Sequence, residues 1–304
     1  MNYLITGSSG FIGQNLIYSL KSRSNNIVGI DIKNPEYISP DKFINISINE
    51  INFEDILDDI NCVIHLAADG GVPKSIKYPV ETFQTNVISY IKILEAIRKN
   101  KNKRDLRLIY ASSGGTVIGE SAELINEESR PNPKSPFGIS KYCSEMISSF
   151  YRDNFHLNII GLRFTNVYGP MMNHKPNFIS LLMNSILTNS ELLIFGDGEQ
   201  TRDFIYISDV IDSIKASINN QYQGVLQIGS GKNISINAII KEMDLFKKVK
   251  LPKIIYKEKR LGDVVHVKCD CQKAYKSIGF KSKVSINQGL ALTLKWFMNE
   301  LHID

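Results

Sequence analysis

The chain has 304 residues, 43 % of them apolar and 22 % charged, with a formal net charge of +5; this suits one large folded unit with a smaller appendage and excludes disorder. No uncharged apolar run approaches the ~18 residues of a membrane span, and Met1-Asn2 leads directly into Tyr3-Leu4-Ile5, so the expectation is a soluble cytoplasmic protein without a membrane partner. The positive charge is scattered. Its densest run, Lys99 to Arg104, falls where a helix should pass into a strand, and a solvated turn is preferred there to a nucleic-acid patch, although a mildly basic protein suits a small anionic substrate.

Short apolar runs alternate with amphipathic stretches through the first half, the pattern of a parallel sheet covered by helices on both faces. Strands are expected at Tyr3–Thr6, Ile27–Ile30, Cys62–Leu66, Leu106–Ala111, Asn158–Phe164 and Val225–Ile228. Phe83, Val87, Ile91, Leu94 and Ile97 recur at three- and four-residue steps, which predicts a helix over Thr82 to Arg98 packed on that sheet. After residue 170 the rhythm changes to a loop at Met171 to Pro176, a helix at Phe178–Leu187, a strand at Leu192–Phe195 and a turn at Gly196-Asp197-Gly198. The expected division is residues 1–170, with 205–230 returning to them, and residues 171–304 as mainly a second lobe at the carboxyl ends of the strands, where ligands bind in open α/β folds. Cys62, Cys143, Cys269 and Cys271 lack the spacing of a zinc site, so no metal is expected and the thiols read as reduced and structural.

Thr6-Gly7-Ser8-Ser9-Gly10-Phe11-Ile12-Gly13 lies between the first strand and a helix beginning near Phe11, the context that a glycine fingerprint requires. Glycines allow the tight turn and the close approach of backbone to a pyrophosphate, whose charge then faces the helix N-terminus. Asp31 closes the second strand 18 residues after Gly13, where a carboxylate accepts from ribose hydroxyls and repels a 2′-phosphate, so the cofactor is read as NAD. Farther on, Ser135-Pro136-Phe137-Gly138-Ile139-Ser140-Lys141 places an aromatic ring and an ammonium one helical turn apart, able to address one bound molecule.

The Gly-x-x-Gly-x-x-Gly spacing is joined by His65-Leu66-Ala67-Ala68, by Asn86 in Phe83-Gln84-Thr85-Asn86-Val87, and by Asn166-Val167-Tyr168-Gly169-Pro170. Gly196 to Phe204 and Arg260-Leu261-Gly262-Asp263 complete the set. With these blocks in order over nearly its whole length, the chain resembles the extended short-chain dehydrogenase/reductases, specifically the NAD-dependent sugar-nucleotide epimerase/dehydratase family of UDP-glucose 4-epimerase-like proteins. The resemblance implies a Rossmann-type α/β fold, a doubly wound parallel sheet with a smaller C-terminal substrate-binding lobe. It also implies that Gly7, Gly10, Phe11, Ile12, Gly13, Asp31, Ile32, Leu66, Ala67, Ala68, Asn86, Ser112 and Lys141 surround the dinucleotide. Asn45-Ile46 take the place of the Asp-Ile pair that touches adenine. His65 is read as a strand-end packing residue. For a nucleoside-diphosphate sugar, a UDP- or dTDP-hexose, the resemblance assigns Asn166, Arg202 and Arg260 to the diphosphate and Asp263 to the nucleoside ribose, with Asn177 and Phe178 walling the base. Guanidinium forks on phosphate and a carboxylate on a diol are chemically apt. A homodimer formed through two helices, one carrying Phe137 and Lys141, is the family expectation.

The catalytic positions depart from the family pattern twice. Its Tyr-x-x-x-Lys motif has Phe137 in place of the phenol that exchanges a proton with the sugar hydroxyl, and the assisting serine or threonine falls at Gly114, leaving Ser113 or Thr116 as candidate hydroxyls. An introduced Tyr-to-Phe change that traps substrate is one account of Phe137, and a natural sugar-nucleotide-binding pseudoenzyme is another. Retained NAD favours a nucleoside-diphosphate-sugar 4-epimerase framework, impaired in this copy. An NDP-4-keto-6-deoxyhexose reductase is the alternative, and a dehydratase is disfavoured because Gly115 and Thr116 replace its Asp-Glu pair.

Overall fold

A computed structural model describes residues 1–100, 105–119, 124–172, 177–246, 250–259 and 268–300. Strand β1 (Asn2–Thr6) leads into helix α1 (Phe11–Leu20), followed by β2 (Asn26–Asp31), β3 (Lys42–Asn45) and β4 (Cys62–His65). Helices α2 (Val72–Lys77), α3 (Pro79–Phe83) and α4 (Ser89–Lys99) precede β5 (Arg107–Ser113), the short α5 (Gly114–Ile118), the long α6 (Pro136–Phe155) and β6 (Asn158–Phe164). The smaller lobe begins with β7 (Asn166–Tyr168), α7 (Phe178–Thr188), β8 (Leu192–Phe195) and β9 (Thr201–Tyr206). Helix α8 (Ile207–Ile218) and β10 (Gly224–Ile228) return to the large sheet, before β11 (Asn233–Ser235), α9 (Ile236–Asp244), β12 (Ile254–Lys257), α10 (Gln272–Ile278) and α11 (Ile286–Glu300).

Seven parallel strands form the main sheet in the order β10-β6-β5-β4-β1-β2-β3. The order in which strands are added reverses between β1 and β4, so the crevice of this doubly wound Rossmann-type α/β sheet opens over the carboxyl ends of those two strands. Strand residues alternate between faces. Ile5, Ile64, Ile109 and Ile160 meet α1 and α8 in one apolar cluster, while Leu4, Val63, Leu108 and Ile159 meet α4 and α6 in another. Burial on both faces is why the strands read as continuous apolar runs.

A three-stranded sheet, β11-β9-β7, and the parallel pair β12-β8 build the smaller lobe. Its β9, Thr201-Arg202-Asp203-Phe204-Ile205-Tyr206, carries two charges in its first half and gave no apolar run to read. The helix expected over 82–98 begins earlier, at Pro79, and is interrupted by a π-helical turn at Gln84–Ile88 that buries Asn86. The Gly196-Asp197-Gly198 turn stands as expected, with both glycines at positive φ (92° and 82°). All four cysteines are free thiols, and no metal-ligating cluster occurs among the described residues. Nor is any described helix long and apolar enough to cross a membrane.

Candidate functional site

Where β1 meets α1, Gly7 adopts φ 71°, and a Cβ there would stand 2.6 Å from the Ala67 nitrogen. The backbones of the loops after β1 and β4 therefore approach closely at this point. A Cβ on Gly13 would fall on the Gly7 carbonyl oxygen and stand 2.8 Å from that of Ser8, which lets the first turn of α1 close directly under the loop. Gly10, the N-cap of α1, has no side chain with which to cap the helix. Phe11 is buried and Ile12 half-buried beneath this cradle.

At the end of β2 the Asp31 carboxylate accepts from Ser9 N–H and Lys33 N–H, both at 3.0 Å, tying the glycine loop to the second strand. Ile32 is exposed beside it. Asn45 is in register with Asp31, and its Nδ2 donates to the Asp31 carbonyl at 3.2 Å; the Ile46 N–H donates to the same oxygen at 3.2 Å. Leu66, Ala67 and Ala68 follow β4 as half-buried residues, with Ala67 N–H donating to Thr6 Oγ1 at 3.3 Å. The glycine cradle, Asp31 and Asn45-Ile46 thus lie along one edge of the crevice.

His65 is buried, hydrogen-bonded through Nδ1 to Thr6 Oγ1 (2.8 Å) and stacked on Tyr90 with centroids 5.2 Å apart. Burial, and then the Lys141 charge, pull its pKa down to about 3, so the ring is neutral. That suits a packing residue.

The other side of the crevice is α6. Its N-cap Ser135 accepts from Gly138 N–H at 3.2 Å and Pro136 occupies the first turn, which fixes where Phe137 emerges. The Lys141 ammonium lies 5.7 Å from the Phe137 ring centroid and donates to the Ala111 carbonyl at 2.9 Å. A Cβ on Gly138 would fall on the Thr116 carbonyl oxygen, so α6 packs against the turn carrying Ser113 and Thr116. Ser113 forms no side-chain hydrogen bond among the described residues, and Thr116 Oγ1 is buried without a partner among them. The π-helical turn aims Asn86 at this region: its Oδ1 accepts from Asp69 N–H (2.7 Å), and its Nδ2 donates to Ser140 Oγ (3.0 Å), three residues past Phe137.

Several residues here were not singled out by the sequence. Glu145, four positions after Lys141, receives both Nε and Nη2 of Arg163 (2.8 and 2.7 Å), and Ser112 Oγ donates to it at 2.5 Å. Ser112 therefore spends its hydroxyl on the helix. The ion pair is almost fully buried, and removing one partner of such a pair costs about 3–5 kcal/mol. The available signal was an arginine inside the apolar strand Asn158–Phe164.

In the smaller lobe Asn166 is exposed at the start of β7 and donates to the Asp203 carbonyl at 3.1 Å. It pairs with Phe204, two residues after Arg202, so Asn166 and Arg202 share one face of the small sheet. Arg202 is half-buried, with Nη1 on the Thr201 carbonyl. Asp203, also missed, is buried and accepts from Ser230 N–H and Oγ, Gly231 N–H and Thr165 Oγ1, fixing the loop after β10. Burial pushes its carboxyl up while those hydrogen bonds oppose the shift. Asn177 caps α7, accepting from Ser180 N–H at 3.0 Å and donating to the Val167 carbonyl at 3.2 Å, with Phe178 half-buried after it. Arg260 and Asp263 lie outside the described residues.

Comparison with known proteins gives a match between residues 3–229 and a family model described as the NAD dependent epimerase/dehydratase family. The chain is 29 % identical to a UDP-glucuronate 4-epimerase of Thermodesulfobacterium geofontis, over 99 % of this chain and 97 % of that one. The solved UDP-glucose 4-epimerase of Thermotoga maritima, with UDP-glucose, superposes with a TM-score of 0.90 at 31 % identity, covering 99 % of this chain and 100 % of that one. A tyrosine-to-phenylalanine mutant of UDP-glucuronic acid 4-epimerase from Bacillus cereus, in complex with UDP-4-deoxy-4-fluoro-glucuronic acid and NAD, superposes with a TM-score of 0.90 at 30 % identity and the same coverage.

Proposed function

The chain belongs to the NAD-dependent epimerase/dehydratase family, and from that membership we propose that it is a nucleoside-diphosphate-hexose 4-epimerase whose proton-transfer position is filled by Phe137. The observation that carries the reading is the pairing of Phe137 and Lys141: the ammonium sits 5.7 Å from the ring and is anchored on Ala111, opposite the glycine cradle. The cradle fits NAD. Gly7 and Gly13 leave backbone where Cβ atoms would intrude, the α1 N-terminus has no side-chain cap, and Asp31 stands at the end of β2. When bound, NAD supplies a hydride acceptor that can return the hydride to the opposite face of the sugar.

The chain's own residues have separable tasks. Lys141 holds the nicotinamide ribose, and in the Phe137→Tyr chain its charge would stabilise the phenolate of the restored tyrosine. Ser113 and Thr116 offer hydroxyls near the sugar hydroxyl that loses its proton. Asn166 and Arg202, on one face of the small sheet, take the diphosphate of a UDP- or dTDP-hexose together with Arg260. Asp263 takes the nucleoside ribose, and Asn177 with Phe178 borders the base. A phenyl ring keeps the shape of the site and has no proton to exchange, so the chain as it stands binds both ligands and turns over slowly.

Phe137→Tyr tests this. Restoring a positioned acid/base is expected to raise the rate by about 10²–10⁴, read as interconversion of UDP-glucose with UDP-galactose, or of the UDP-uronates or dTDP-hexoses, without added NADH or NADPH. Turnover that consumes added reduced nicotinamide selects the 4-ketoreductase. Phe137 itself favours a second reading, a sugar-nucleotide-binding pseudoenzyme. That protein would hold a UDP-sugar and remain inert as Phe137→Tyr.

A further inference from the structure

Gln227 stands near the end of β10 and belongs to neither the cofactor cradle nor the Phe137–Lys141 pair. It is in register with Arg163 of β6, which is in register with Ser112 of β5, so three buried polar residues form a row across three strands on the α6 side of the sheet. Ser112 and Arg163 both close on Glu145. Gln227 ends the row differently. Its N–H donates to Glu127 Oε1 at 2.7 Å and its Nε2 donates to Cys269 Sγ at 3.1 Å. The amide lies against Gly114, where a Cβ would stand 2.7 Å from Nε2 and 3.0 Å from Oε1. Gln227 Oε1 is buried without a partner among the described residues, and so is Thr116 Oγ1 two positions beyond Gly114. The Nε2 bond to Cys269 Sγ holds the amide in place against Gly114.

We propose that Gln227 is a positioning residue for the Ser113–Thr116 turn: its amide occupies the volume of a side chain at 114 and holds the turn against the start of α6. The contact between Gly138 and the Thr116 carbonyl passes any shift of that turn to the helix bearing position 137. Gly114 and Gln227 are therefore exchangeable as a pair and not singly. The catalytic part of this inference rests on the 4-epimerase reading, and its structural part does not.

The test uses the full chain carrying Phe137→Tyr, with Gly114→Ala, Gln227→Ala and both together. Gly114→Ala alone should lower Tm by roughly 3–6 °C and kcat by about 10–100-fold, while KM for the UDP-sugar and the NAD content per chain stay where they were. Adding Gln227→Ala should recover most of both losses, because the vacated volume accepts the methyl group. If Phe137→Tyr shows no turnover of any sugar nucleotide, the 4-epimerase reading fails and the Tm cycle alone decides the coupling. The proposal is overturned if Gly114→Ala leaves Tm and kcat intact, or if the losses of the two single variants add in the double variant.

Discussion

Phe137, Lys141 and His65 show how the site divides its chemistry among single residues. Lys141 is buried, yet its ammonium keeps a carbonyl partner and lies beside a ring. His65 nearby has been forced into the neutral form. A positive charge next to a buried imidazole makes a second positive charge unfavourable, so of these two groups the lysine carries the charge. The unfolded chain binds a proton at this histidine below pH ~6.5, whereas the folded chain does not until about 3, so stability should fall as pH drops through that window. The slope from this one site approaches about 1.4 kcal/mol per pH unit. Urea titrations between pH 7 and 5 should show it, and His65→Asn should flatten the slope even though it lowers stability overall. An equal slope in both proteins would mean that His65 is not held neutral.

At the level of elements, glycines decide how the loops and helices of the crevice meet. Gly7, Gly13 and Gly138 each sit where a methyl group would strike backbone of a neighbouring element, and backbone cannot swing aside as a side chain can. Gly13→Ala should therefore push α1 off the loop it supports. Overpacking of this kind costs about 1–3 kcal/mol, and if it is taken up by the cradle, NAD affinity falls roughly 10–100-fold. The ratio of NAD released to protein, measured after denaturation, reads this directly; unchanged NAD content would show that the cradle tolerates the methyl group. These contacts explain what was legible beforehand. β6 is legible at Asn158–Phe164 because it is buried on both faces, and the glycine loop because its spacing is local. The π-helical turn that buries Asn86 is not, since the apolar stripe from Phe83 to Ile97 runs on through it without a break in period. The Glu145–Arg163–Ser112 cluster was also hidden. It requires the register of β5 against β6 and the height of α6 above them, which no window of sequence contains.

Over the whole molecule the sequence-readable features cluster on the cofactor side, while the candidate residues of the smaller lobe, Arg202 among them, stand on short, charged strands such as β9 that carry little periodicity. Helix α6 turns Ser140, Ser144 and Ser148 inward against α4 and the π-helical turn, and small side chains at that spacing let the two helices lie close. The opposite side of α6 then presents Ile139, Met146 (55 % exposed) and Phe150 (53 %), at seven- and four-residue steps, with Ile88 also exposed at the end of that turn. An apolar stripe on paired helices is suited to burial against its own copy about a two-fold axis, because each helix then meets the same surface it offers. The unaltered chain should accordingly run as a homodimer in light scattering at micromolar concentration. Met146→Glu with Phe150→Glu puts like charges on both sides of the axis and should give a monomer. Because α6 also carries Phe137 and Lys141, that monomer should retain less NAD than the dimer, whereas a chain that is monomeric before any substitution would remove the dimer from the account.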